Sequence, residues 1–210
     1  MTRLRTERGL DRLVNFSDAT VAIAITVLLL PLVDIALEIE KLSLGDLLAA
    51  NLGTIIAFAI TFAVIARLWF SHHRLFEAAV DYDSGMIWVN FLWLASIVVM
   101  PFTANVLAHS DAADPGVNAL YIGTVLSSSV ALLWLVLHLR RHPSVTSTGV
   151  AELLHLQDTV MTVIAFAVAL VLSVLFPEVG MFWLLLLIPA NVVGGLLRRR
   201  SASAGATPSS

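Results

Sequence analysis

Few side chains in this sequence could do chemistry, and the densest group precedes a long apolar run: Arg12, Phe16, Ser17 and Asp18 lead into the stretch from Ala19 to Val33. Serine and aspartate are favoured at helix starts, because a short oxygen side chain accepts from unpaired amides and a carboxylate suits the positive end of the helix dipole. The spacing therefore predicts Ser17 and Asp18 as the capped start of an apolar helix. His72 and His73, with Asp81 and Asp83 downstream, suggest a metal site. Adjacent histidines point to different sides of a helix, however, and no compact ligand spacing results, so no metal centre is expected. The sequence shows no Ser-His-Asp order, no glycine-rich phosphate loop and no intramembrane carboxylate pair, one of which a hydrolase or an ATP-driven pump would need. Neither an enzyme nor a cofactor is expected. Cysteine is absent, which excludes disulfides and thiolate chemistry.

The elements that must position these groups are membrane helices. Of the 210 residues, 59% are hydrophobic and only 13% charged, with a mean hydropathy of +0.91, a composition that cannot give a soluble domain a polar exterior. Crossing the hydrocarbon takes ~20 helical residues, and the apolar stretches predict six spans, at about 16–37, 46–68, 84–108, 117–140, 155–176 and 179–197. The expected architecture is an all-α membrane protein, one six-helix unit over residues 1–200 with a disordered cytoplasmic tail at 201–210. Pro31 is expected to bend the far end of the first helix, since proline lacks a backbone donor and clashes with the preceding turn.

Orientation follows from the basic residues, which are retained on the cytoplasmic side of short loops. Eleven of the twelve fall on one side of a six-span arrangement: Arg3, Arg5, Arg8, Arg12, Arg67, Arg74, Arg140, Arg141 and Arg198 to Arg200. The other side keeps Lys41 among Asp34, Glu38, Glu40, Asp46, Asp111, Asp114 and Glu178. Both termini are expected in the cytoplasm, with the chain in the cell membrane. The clusters Arg140-Arg141-His142 and Arg198 to Arg200 serve topology and can touch anionic lipid headgroups; nothing points to nucleic acid.

Further residues join Arg12, Phe16, Ser17 and Asp18 in a pattern: Trp69, His72, His73 and Phe76 near the end of the second span, then Asn90, Trp93, Pro101, Phe102 and Thr103 in the third. Together they resemble the transmembrane protein 175 family of potassium channels, over roughly the first half of the chain. Animal members carry two six-helix repeats, whereas this chain has one, as in bacterial members. The resemblance implies a homotetramer in which the first helix of each subunit lines a central pore, conducting potassium as a leak-type channel.

Helical geometry is compatible with that role. At ~100° per residue, Ile23, Val27, Leu30 and Asp34 lie within about 60° on one stripe, with Thr26 at its edge. In a ring of four, Ile23, Val27 and Leu30 would form apolar collars that gate by dewetting, and Asp34 an acidic ring that concentrates cations at the outer mouth. An apolar stripe of this spacing is also what any packed helix shows. There is no T-V-G-Y-G filter, and Tyr121, Gly123 and Thr124 lie within a span where their carbonyls are occupied. Family resemblance puts a selectivity-bearing threonine at Thr26, whose hydroxyl can present oxygen to an ion; the alternative is a hydroxyl bonded back to its own helix. Asp18 lies about 140° round from Ile23 and so is expected to face inward, in a hydrogen-bonded network with Phe16, Ser17, Trp69, His72, His73 and Asn90 and with Arg12 as countercharge. The rival function is a small proton-coupled or substrate transporter with His73, Asp18 and Asn90 as a relay.

Overall fold

In the computed structural model, residues 7–37, 43–111, 113–146 and 156–186 are described. They form helices α1 (Glu7–Leu28), α2 (Leu30–Ala36), α3 (Leu44–Ala50), α4 (Leu52–Glu77), α5 (Ser84–His109), α6 (Pro115–Arg141) and α7 (Leu156–Leu175), with short 3₁₀ segments at Pro143–Val145 and Pro177–Leu186. Among the described residues five helical stretches are long and apolar enough to cross a membrane: Gly9–Ala36, which runs through α1 and α2, then α4, α5, α6 and α7. The expected sixth span, 179–197, coincides with the 3₁₀ segment up to Leu186 and otherwise lies outside the described residues, as do Arg3, Arg5, Glu38, Glu40, Lys41, Arg198 to Arg200 and the tail at 201–210.

The expected helix start at Ser17 and Asp18 is wrong. α1 begins at Glu7, so both residues lie in mid-helix. The reason is packing: Leu10, Leu13 and Val14 lie against the core and carry the helix back through the charged segment. Ser17 then satisfies its hydroxyl by donating to the Leu13 carbonyl at 2.9 Å, four residues earlier. Gly9 permits this approach, because a Cβ there would collide with the ring of Tyr82 from the loop after α4.

Pro31 has the expected effect on the helix. α1 stops at Leu28 and α2 resumes at Leu30; around the break Leu29 donates to the Thr26 carbonyl at 3.1 Å, and Val33 to Leu29 at 3.2 Å. A small, shallow crevice lies behind the break, lined by Leu28, Pro31, Thr54, Phe58, Pro101 and Asn105 among others. The second expected span is likewise divided, into α3 and α4 at Asn51, whose amide side chain donates to the Leu47 carbonyl at 2.9 Å.

α5 is the centre of the bundle, packed against α1, α4 and α6, and α7 closes on α6. Met86, Trp93, Ile97 and Met100 of α5 and Ile122, Val125 and Leu135 of α6 are fully enclosed. Thr61 of α4 and Tyr121 of α6 share a buried hydrogen bond of 2.8 Å, which satisfies two hydroxyls that would otherwise be costly at membrane depth. At the arginine-bearing end, the loop after α4 is tied to the chain beyond α6, where Val80 donates to the Val145 carbonyl at 2.9 Å.

Candidate functional site: the first helix and its anchoring network

α1 has two chemically distinct sides. Ser17, Val21, Ala24 and Leu28 face the bundle and are buried. The opposite side is uncovered along its length: Ile23 is 63% exposed, Val27 43% and Leu30 57%, and Thr26 and Asp34 are exposed with them. The five residues singled out from the helical stripe thus share one open face. Of the apolar stretch in this first span only 17% is buried, against 50% for α6, so α1 is the least covered of the spans. The Thr26 hydroxyl donates to the Ile23 carbonyl at 2.7 Å, three residues earlier rather than four. That bond uses the hydroxyl hydrogen and leaves oxygen lone pairs on the exposed side.

The inward side of α1 is held by directional polar contacts. His72 of α4, enclosed within the bundle, bonds through Nε2 to Asn90 Oδ1 of α5 at 2.7 Å. Asn90 donates from Nδ2 to Ser17 Oγ at 2.9 Å, and Ser17 donates onward to Leu13. Each donor in the series has one acceptor, so His72 carries its proton on Nε2. The imidazole is clamped by Trp93, whose ring stacks at 3.8 Å and 11°, and by Phe76 at 4.4 Å. A separate bond joins α4 to α1, with the Trp69 indole donating to Asp18 Oδ1 at 2.8 Å.

Ser17, Asp18, Trp69, His72 and Asn90 are therefore brought together as two hydrogen-bonded groups. His73 is adjacent but engaged differently, stacked on Trp69 at 5.3 Å and paired with Glu77 at 3.5 Å. Phe16 packs against Phe91, ring centroids 5.9 Å apart, while remaining half exposed. Arg12 is not the countercharge expected for Asp18. It is exposed, and six residues at ~100° each leave it about 120° round the helix from Asp18.

Two residues named from the sequence take contacts that their spacing did not assign. One is Trp93, a member of the third-span pattern, which the fold stacks on His72. The other is Asp83, which caps α5 by accepting from the Met86 amide at 2.8 Å and takes both 3.0 and 2.8 Å contacts from His138 Nε2 of α6. Burial by itself would raise the Asp83 carboxyl, but the Met86 amide and His138 outweigh it and hold the group below its ordinary range. An aspartate immediately before a new apolar helix is a cap signature that could have been found. Among the described residues no group of three histidine, cysteine or acidic side chains is arranged to hold a metal ion.

Residues 12–101 match the sequence profile of the family described as endosomal/lysosomal potassium channel TMEM175. A potassium channel of Streptomyces collinus is 29% identical over 137 residues, 62% of this chain and 64% of that protein. A potassium channel of Chamaesiphon minutus is 34% identical over 99 residues, 47% of this chain and 49% of that protein. The matches thus span less than two thirds of either relative's length. The endosomal/lysosomal proton channel TMEM175 of Mus musculus is 28% identical over 109 residues, 49% of this chain and 21% of that protein. The fold is similar to the crystal structure of a lysosomal potassium-selective channel TMEM175 homolog from Chamaesiphon minutus, with a TM-score of 0.63 at 24% identity, covering 92% of this chain and 98% of that one.

Proposed function

We propose that this protein, whose residues 12–101 match the TMEM175 family profile, is a potassium-preferring cation channel of the leak type. Four copies surround a pore lined by the open face of α1. The observation that carries this reading is that Ile23, Thr26, Val27, Leu30 and Asp34 are all uncovered on one side of the span, while the other side is fastened to α4 and α5. A helix that exposes a hydroxyl and a carboxylate along with aliphatic residues is poorly suited to lipid on that side. Four such faces about one axis give Asp34 and Thr26 access to water.

In that assembly Ile23, Val27 and Leu30 are the apolar collars, which set the barrier to hydrated ions through dewetting. Thr26, one turn from Ile23, supplies an oxygen next to the narrowest collar and contributes selectivity. Asp34, beyond the Pro31 kink, attracts cations at the outer mouth. The buried groups around Ser17 and Asp18 orient the pore face and do not touch the ion. The basic end of the bundle lies in the cytoplasm of a cell-membrane protein.

The test is a planar-bilayer recording of the purified full chain with asymmetric potassium and sodium. Discrete currents reversing toward the potassium potential are expected. Flux that saturates at low substrate and runs uphill against a coupled gradient would replace the channel with a carrier, and an absence of flux would leave a non-conducting scaffold.

A further inference from the structure

Arg67 and Arg74 are seven residues apart on α4, which sets them within ~20° of each other round the helix and ~10 Å apart along it. Phe70 and Ser71 occupy the same side between them. Arg67, Phe70 and Arg74 are exposed. The Arg67 guanidinium donates to Ser71 Oγ, so the side chain is drawn along the helix toward the Glu77 end. The Arg74 guanidinium lies over the Phe70 ring, 5.7 Å from its centroid.

Among the described residues the ion pairs within 4.0 Å are His73–Glu77 and His138–Asp83, and neither guanidinium takes part in one. Glu77, the carboxylate nearest Arg74 in sequence, is engaged by His73. Asp158 at the start of α7 is the carboxylate whose charge reaches Arg67. Arg67 and Arg74 are the two guanidinia of this face, and neither is bridged by a carboxylate within 4.0 Å among the described residues.

Depth makes the two arginines informative. α4 is uncharged from Leu52 to Ala66, and a hydrocarbon core of ~30 Å takes about 20 helical residues. Counted from Leu52, the core ends near Ser71. Arg67 then lies one turn inside the boundary, stretched toward it as long basic side chains do, and Arg74 one turn outside. The two guanidinia bracket the level of lipid phosphates.

We propose that this face of α4 binds an anionic phospholipid of the leaflet at the arginine-bearing side. The phosphate is held between Arg67 and Arg74 with Ser71 beside it, and an acyl chain runs over the exposed small residues Ala63 and Ala59. Charge selects the occupant: a zwitterionic lipid brings its own cation to the same phosphate, whereas an anionic headgroup leaves its phosphate charge to the two guanidinia.

The experiment uses the full chain in detergent mixed with phosphatidylglycerol or phosphatidylcholine, with retained lipid counted by native mass spectrometry. The wild type is expected to retain phosphatidylglycerol in preference. Arg67→Gln and Arg74→Gln should each lower its apparent affinity about 5-fold, and the double variant about 25-fold, the loss that follows from removing one basic side chain at a time from an anionic surface. Arg141→Gln, an exposed arginine at the same end, should change it less than about 2-fold, because a charge outside the site contributes only a screened field. Equal retention of the two lipids by the wild type overturns the proposal without any variant. So does an unchanged preference in the double variant, or an Arg141→Gln loss as large as that of Arg74→Gln. Dissociation of the oligomer in the double variant, with no lipid on the wild type, would assign the face to a second copy of the chain and overturn it equally.

Discussion

Replacing Asn90 tests whether the network beneath α1 holds the bundle together. Asn90 is fully buried, accepts from His72 at 2.7 Å and donates to Ser17 at 2.9 Å. Asn90→Leu removes both bonds. Ser17 keeps its own bond to Leu13, but His72 is held between Trp93 and Phe76 and cannot turn its Nε2 hydrogen to another acceptor. An unsatisfied buried donor costs ~1–3 kcal/mol, and interhelical hydrogen bonds in membranes average about 0.6 kcal/mol with a maximum of about 1.7. The expected loss is therefore ~2–3 kcal/mol, or a fall in Tm of about 4–12 °C for a chain of this size. A second substitution sharpens the test. His72→Phe retains the ring stack and removes the stranded donor, so the double variant should regain about 1–2 kcal/mol over Asn90→Leu alone, since deleting both partners of a buried bond is nearly neutral. Ser96→Ala serves as control, because that hydroxyl bonds only within its own helix, to Trp93 at 2.6 Å, and should shift stability by less than about 0.5 kcal/mol. Thermal unfolding of the detergent-solubilised protein, followed by tryptophan fluorescence, reads all four. Additive losses in the double variant, or an Asn90→Leu protein as stable as the control, would refute the reasoning.

Ile23→Asn should wet the proposed narrowest collar and raise single-channel conductance, and an unchanged unitary current removes Ile23 from that role. Thr26→Ala should reduce potassium preference over sodium, read as a shift in reversal potential under mixed salts. Asp18→Ala breaks the 2.8 Å bond from Trp69 and should lower stability or the yield of oligomer while leaving ion preference unchanged; an intact oligomer with altered selectivity contradicts the anchoring role. For Asp83 the folded carboxyl lies below its ordinary range, so its charge contributes stability that is complete above the unfolded pKa of about 3.9 and is lost as pH falls through the folded value. Asp83→Asn can still cap α5, so the stability advantage of the wild type over Asp83→Asn, measured by Tm at pH 7 and at pH 3, should be smaller at the lower pH.

Helical character and a membrane setting are legible in the residues, because apolar length and the scarcity of charge are properties of each segment alone. Pro31 announced the break between α1 and α2 for an equally local reason, its missing amide. Asp18 and Ser17 as inward-facing residues followed from helical angle, and their partners from the pattern of Trp69, His72 and Asn90. Where α1 begins was decided only in three dimensions: a serine and an aspartate that can cap a helix are carried into its interior when Leu10, Leu13 and Val14 find a surface to pack on. The same holds for Trp93 on His72, for His138 on Asp83 and for Thr61 with Tyr121, pairs whose members are 21, 55 and 60 residues apart. Nothing in the spacing of such residues marks them as neighbours. Arg12 failed as a countercharge because rotation about the helix, and not closeness in sequence, sets which charges meet. Exposure of the Ile23 face is of the same kind: the stripe is legible in the residues, but which stripe stays uncovered depends on where α4 and α5 take hold of α1.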